Sequence, residues 1–397
     1  MRVVFLIFAA TLVWFSFKSL IGGIRYLRFF RTELSRPAPD WAPMVTVICP
    51  CRGVDQGMES NLAALLEQNF PAYEVIFVID DPNDPARAVI DTFLESNIPA
   101  RLVLADKAVC SAQKVENLRA AVLHANHASE VFVFVDSDTR VSKEWLSHIV
   151  APLEDTSAGA STGYRWFISE SPSLASELRS VWNASIASAL GPDTASNFCW
   201  GGSTAIRRTT FERIGMTDKW RGTLSDDFAL TRALRASGLP IIHVPQALTA
   251  TVESCTFGEL LEFTTRQMKI TRVYMPQLWL MSFLGSALFC GVMLAAVLIL
   301  IQSPEQGLGM WSALVTVLLV TACSIGKSWL RLKAIRLALP QYSARLNRQG
   351  PTQNTLWVLT PAIFLYNCLC ALFSRRLVWR GTKYQLNSPT ETVIIRD

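Results

Sequence analysis

Four apolar runs constrain this chain more than any other feature. Val3 to Ile24 is almost continuously apolar with Lys18 as its single charge, and Leu278 to Ile301, Met310 to Leu330 and Leu356 to Phe373 follow near the other end. A helix needs about 20 such residues to cross a bilayer core, so the first three runs read as transmembrane helices. They account for a composition of 50% hydrophobic and 17% charged residues over 397 positions, too apolar for a purely soluble protein.

Charge flanks set the expected topology. Arg25, Arg28, Arg31 and Arg36 follow the first run while only Arg2 precedes it, which favours an uncleaved anchor over a cleaved signal peptide and puts the next domain in the cytosol. A short Ser303-Pro304-Glu305 turn separates the second and third runs. Arg331, Lys333, Arg336, Arg345 and Arg348 then place the following stretch in the cytosol too. The last run has two readings. A single crossing strands Arg375, Arg376, Arg380 and Lys383 outside, against the same rule, whereas Pro361 could break the run into a re-entrant or interfacial piece. The expectation is an integral protein of a bacterial inner membrane or its equivalent, with its main domain cytosolic.

Between the membrane runs, strand and helix signals alternate as in parallel-sheet α/β proteins. Strands are expected at Val45 to Cys49, Glu74 to Ile79, Arg101 to Leu104, Val131 to Val135 and Ile241 to Val244. Helices are expected at Met58 to Gln68, Pro82 to Asn97, Gln113 to Asn126, Ser173 to Leu190 and Ser225 to Ser237. The chain divides into an anchor and basic flank at 1–36, a catalytic domain at 37–255, an amphipathic interfacial helix at 256–276 and a membrane region with tail at 277–397.

Three acidic signatures fall in order along that domain: Asp81 after a strand, Asp136-Ser137-Asp138 after another, and Ser225-Asp226-Asp227 opening a helix. Carboxylates are costly to group unless a cation or a reaction needs them, and ligands in open α/β sheets bind at the carboxyl ends of strands. On an extended chain, residues two apart share a face about 6–7 Å apart, so Asp136 and Asp138 can address one divalent ion. Hard oxygen donors, few in number, suit Mg²⁺ or Mn²⁺ whose other positions go to water and phosphate; a solvated turn is the plain alternative. Lys114 opens a helix that Ser111 could cap, where the dipole disfavours a cation unless an anion binds there. Asp226 and Asp227 open another, where a carboxylate stays ionised and can act as a base, although Ser-Asp-Asp is also an ordinary cap.

Phe198-Cys199-Trp200-Gly201-Gly202-Ser203 pairs aromatic rings with glycines that let backbone approach a ligand, or else forms a tight turn beside a core tryptophan. Phe257 to Met275 is a helical pattern carrying Arg266, Lys269 and Arg272 beside Leu260, Leu261, Met268 and Met275. Those cations face lipid headgroups, or a diphosphate if the helix folds over the site. The nine cysteines show no zinc spacing, and a net charge of +5 follows the membrane flanks, pointing to anionic lipid rather than nucleic acid.

The order of Asp81 within Val78-Ile79-Asp80-Asp81-Pro82-Asn83-Asp84-Pro85, then Lys114, Asp136-Ser137-Asp138 and Asp227, resembles the family 2 glycosyltransferases of GT-A fold. The ceramide glucosyltransferase-like branch, with hopanoid-associated relatives, is the most similar. Cys49-Pro50-Cys51-Arg52-Gly53-Val54-Asp55, Asn69 to Val75, and Trp379-Arg380-Gly381 with Tyr384 support the likeness. It implies a Rossmann-like, mostly parallel cytosolic sheet between membrane helices. It also implies a nucleotide-sugar donor bound by Asp81, Lys114 and Asp136, a metal on Asp136 and Asp138, and Asp227 as catalytic base. Trp200, Gly201, Asp226, Arg266 and Lys269 are the implied acceptor or diphosphate contacts. The family's Arg-Trp motif departs here to Arg266-Gln267-Met268-Lys269-Ile270.

The expected activity is inverting transfer of a hexose from a UDP-sugar to a ceramide-like lipid. A processive polysaccharide synthase, a transferase acting on a hopanoid or glycerolipid, a nucleotidyltransferase and a non-enzymatic membrane scaffold are the alternatives.

Overall fold

The computed structural model describes residues 2–37, 40–94, 99–302 and 307–396. The expected Ser303-Pro304-Glu305 turn and the end of the expected Pro82 to Asn97 helix lie outside them. The chain falls into two compact units.

One unit comprises Glu33–Ser171, Ala189–Ser254 and Arg375–Asp397. Its centre is built from Val45–Pro50 (β1), Tyr73–Ile79 (β2), Ala100–Leu104 (β3) and Val131–Phe134 (β4), which lie side by side in the order β3-β2-β1-β4, all parallel. Strands β1, β2 and β4 are runs such as Val-Thr-Val-Ile and Val-Phe-Val-Phe, buried along nearly their whole length, as strands covered on both faces must be. Short helices Met58–Leu66, Ala86–Asp91 and Gln113–Leu123 make the crossovers. The sheet continues through Ala160–Thr162 (β5), Thr204–Arg207 (β7) and Ile241–His243 (β8), with β7 antiparallel to both β4 and β5. Arg165–Ile168 (β6) pairs separately with Thr249–Val252 (β9).

This order positions the site. The chain winds outward from β1 through β2 to β3, then crosses to the opposite side of β1 for β4, so the winding reverses between β1 and β4. Open α/β sheets bind ligands at such a reversal, outside the carboxyl ends of the strands. The segment from Cys51 to Asp55 leaves β1 there, and Asp136-Ser137-Asp138 leaves β4 beside it, the register running Ile48 opposite Phe134. Below, Val47, Val75, Val133, Leu62, Trp145 and Leu146 are fully buried and fix the strand ends.

The last residues also belong to this unit. Arg376–Trp379 (β10), Thr382–Ser388 (β11) and Glu391–Ile395 (β12) form an antiparallel meander. Its buried Tyr384 hydroxyl accepts from the backbone N–H of Gln113, and the Thr390 carbonyl oxygen stands 2.1 Å from where a Cβ on Gly222 would lie, which leaves no room for a side chain.

The other unit comprises Met1–Thr32, Pro172–Ser188 and Cys255–Ser374. Among the described residues, three helices are long and apolar enough to cross a membrane: Val3–Leu34, Pro276–Gln302 and Leu308–Ala338. The first packs on the third where Gly23 and Gly326 admit close approach, Gly326 facing Leu20. The fourth apolar run is not a straight span. Gly350–Val358 and Thr360–Phe373 meet at a 55° bend, where Pro361, in the first turn of the second helix, cannot donate a backbone hydrogen bond. Phe257–Tyr274 is a helix with a complete capping box, Thr256 and Glu259 each satisfying the other's backbone N–H.

Candidate functional site

Lys114 is the centre of the site. Its helix starts at Gln113, with Ala112 rather than Ser111 at the cap. Ser111 instead accepts a hydrogen bond from Gly222 N–H, so it anchors the loop before the other acidic helix. Lys114 Nζ lies 2.7 Å from Asp136 Oδ1 and 3.2 Å from Asp226 Oδ1, joining three segments far apart in sequence. A Cβ on Gly201 would stand 2.4 Å from Asp226 Oδ2 and 2.7 Å from Lys114 Nζ, so only glycine lets these charges close against the backbone.

Asp227 is held differently. Ser225 caps its helix by accepting from Phe228 N–H, and Asp227 Oδ1 accepts from the same N–H at 2.7 Å and from Ser225 Oγ. Its other oxygen accepts from Gly201 N–H at 3.3 Å. A carboxylate so bonded at a helix amino terminus is fixed in direction. Asp226 is buried, whereas Asp227 retains a path to solvent.

Asp138 extends the cluster. Its Oδ2 lies 3.2 Å from Arg165 Nη1, and the Arg165 guanidinium sits over the rings of Phe167 and Trp200. Trp200 is only 6% exposed and packs 5.4 Å from Tyr164, so it supports Arg165 rather than presenting an open face. Between the two aspartates, Ser137 donates to Asp55 at 3.2 Å and accepts through its carbonyl from Asn61 at 3.0 Å.

The electrostatics follow from this crowding. Burial pushes the Asp136 carboxyl up, but Lys114, with Arg165 and Arg380 behind it, outweighs that and leaves it below the usual carboxylate value. Burial raises Asp138 to about 6; Arg165 opposes the rise, while Asp136, Glu253 and Asp55 add to it. Asp226 is likewise raised to about 6 by burial, against the pull of Lys114. Burial works against the Lys114 cation, yet the surrounding carboxylates raise it overall and keep it charged.

Asp81 stands apart from this knot. It follows β2, accepts from Asn83 N–H, and shares Lys107 with Asp80, at 3.3 and 2.7 Å respectively. Arg266 and Lys269 lie on the Phe257–Tyr274 helix of the helical unit, where Arg266 packs over Phe263. Arg165, Asp55, Lys107 and Arg380 are participants to which sequence reading gave no role. Asp55 and Arg380 carried a local signal, each standing in a motif of the resemblance, Cys49 to Asp55 and Trp379-Arg380-Gly381.

The donor chemistry fits a hard divalent cation. Asp136 and Asp138 offer oxygens two residues apart with side chains 25% and 22% exposed. Among the described residues no group of three or more His, Cys, Asp or Glu is placed to hold a metal ion. Two carboxylates with open positions suit Mg²⁺ or Mn²⁺ completed by phosphate and water.

Comparison with known proteins converges on one chemistry. The model of glycosyl transferase family 21 matches residues 10–392. Ceramide glucosyltransferase of Komagataella phaffii is 25% identical over 100 residues, covering 24% of this chain and 20% of that protein. An N-acetylglucosaminyltransferase of Rhizobium leguminosarum is 26% identical over 261 residues, covering 61% of this chain and 60% of the relative. The chain thus spans between a fifth and three fifths of the length of these relatives. A mannosyltransferase from Pyrobaculum calidifontis, solved with GDP-mannose and Mn²⁺, superposes with a TM-score of 0.50 at 18% identity, covering 93% of this chain and 99% of the other. That likeness supports the GT-A fold. The matching family is numbered 21, whereas the motif order pointed to family 2; ceramide glucosyltransferases are the relatives common to both readings.

Proposed function

The chain belongs to glycosyltransferase family 21, and from that premise we propose that it is an inverting transferase moving one hexose from a UDP-sugar to a ceramide-like lipid at the cytosolic face of a membrane. The observation that carries this reading is Lys114, poised between Asp136 and Asp226 at the reversal of the sheet. A charged lysine at a helix amino terminus, flanked by carboxylates that can pass it to an incoming anion, is suited to a diphosphate.

In this reading Asp81 contacts the nucleotide base, and Lys114 and Asp136 hold the diphosphate. Asp136 and Asp138 would hold Mg²⁺ or Mn²⁺, which supplies positive charge against the phosphate oxygens. Asp227 takes the proton from the acceptor hydroxyl. The hydroxyl oxygen bonds to the anomeric carbon as the bond to the diphosphate breaks, and that electron pair leaves on the phosphate oxygen beside Lys114. Attack and departure occur on opposite faces, so configuration inverts without a covalent intermediate. Asp226 keeps Lys114 aimed at the leaving group, and Gly201 leaves room for that pair. Trp200 keeps Arg165 against Asp138.

The lipid acceptor rests on the ceramide glucosyltransferase relatives and on three helices able to span a bilayer. Basic flanks after the first helix favour a cytosolic catalytic unit. The longer alignment with an N-acetylglucosaminyltransferase supports a second reading of the sugar, N-acetylglucosamine in place of glucose.

The test is transfer from labelled UDP-glucose and UDP-N-acetylglucosamine to ceramide vesicles by the purified full chain. The proposal expects one sugar per lipid, one UDP released per product, and loss on chelation. A polymer would indicate a processive synthase, and pyrophosphate release a nucleotidyltransferase.

A further inference from the structure

We propose that Arg380 is a positioning residue of the donor site, reaching from the carboxyl-terminal meander to set the Asp136-Ser137-Asp138 turn through Asp55. This rests on the donor-site reading above and adds to it a segment that follows the last membrane helix.

The first observation is backbone strain. Trp379 pairs with Thr382, leaving a two-residue loop, and both loop residues have positive φ, 50° at Arg380 and 77° at Gly381. That is the pattern of a type I′ hairpin turn, whose first position is ordinarily Asn, Asp or Gly. Among the described residues Arg380 is the one non-glycine residue with positive φ. A left-handed conformation is unfavourable for such a side chain, and an outlier of this kind points to a use for the side chain.

The second observation supplies the use. Arg380 Nη1 lies 2.5 Å from Asp55 Oδ1 and Nη2 lies 2.6 Å from Asp55 Oδ2, a two-pronged pairing that only a guanidinium makes. Asp55 Oδ2 also accepts from Ser137 Oγ, so the arginine, the aspartate and the turn form one chain of contacts. Asn61 holds the Ser137 carbonyl from the other side. With both clamps in place the Asp136 and Asp138 carboxylates are presented at fixed spacing. The contact of Arg380 with the turn runs through Asp55, while its charge also reaches the Asp136 carboxyl.

The test separates this role from that of a mere turn residue. Mn²⁺ is titrated against the purified full chain by electron paramagnetic resonance with UDP present, alongside thermal unfolding and steady-state rates. Arg380→Asn suits the turn, so its unfolding temperature should equal or exceed wild type. Its Mn²⁺ affinity should fall about 10–100-fold, the usual loss when a partner behind a metal ligand is removed. Its kcat at saturating metal and donor should change far less than its KM for either. Arg380→Lys keeps the charge but not the fork and should fall between. Asp55→Asn should match Arg380→Asn, and the double variant should add little further loss. Arg380→Asn binding Mn²⁺ with UDP as tightly as wild type, or fully additive losses in the double variant, would overturn the inference. A wild-type chain that bound no Mn²⁺ with UDP would instead remove the donor-site reading itself, and this inference with it.

Discussion

Lys114 Nζ sits 2.7 Å from Asp136 Oδ1, joining the first turn of one helix to the turn that ends β4. The pair stands over the point where the winding of the sheet reverses. Lys114 also balances Asp226, which is buried, so one cation holds two carboxylates in place. Replacing Lys114 with Met leaves both without their partner. Stability should fall by about 3 kcal/mol, the lower end for breaking a buried pair, and transfer should be lost. Chemical unfolding of the two proteins, with rates on the folded fraction, checks this.

Gly201→Ala tests the close approach of backbone to that pair. The added methyl would meet both Asp226 and Lys114 at under 3 Å, and either must move. A shift of about 1 Å in a positioning group commonly costs about a hundredfold, so kcat/KM for the donor should drop by that order. An unchanged kcat/KM would show that the pair has room to spare.

The sheet and the membrane helices were legible in the sequence because burial on both faces and bilayer thickness each leave a continuous apolar signature. Val131–Phe134 and Val3–Leu34 are examples. The acidic turns were legible because they close such runs. What the sequence hid depends on tertiary placement. Arg165 falls outside every element expected from the sequence, and only the pairing of β6 brings it to Asp138, while Asp55 meets Arg380 across 325 residues. The bend before Thr360–Phe373 is one of the two readings the sequence left open, with Pro361 in the first turn of that helix beside the break.

Acid should silence the enzyme before it unfolds it. Asp138 and Asp226 both titrate at about 6, above the ordinary 3.8, because burial disfavours their charged forms. As pH falls through about 6 the folded chain takes up these protons before the unfolded chain does, so these two groups favour the fold on the acid side. Activity should therefore decline with an acid limb near pH 6 while the unfolding temperature holds. Because protons and cation compete for Asp138, raising Mn²⁺ should move that limb to lower pH. Rates and melting curves recorded together from pH 5 to about 8 decide it.

Asp227 is proposed as the base at a donor site built around Lys114. Donor affinity and transfer rate measured on one preparation of Asp227→Asn test it most directly. Donor binding should stay within about twofold of wild type while the transfer rate falls by about a hundredfold to ten-thousandfold, the range for removal of a general base. Transfer by Asp227→Asn at the wild-type rate would contradict it.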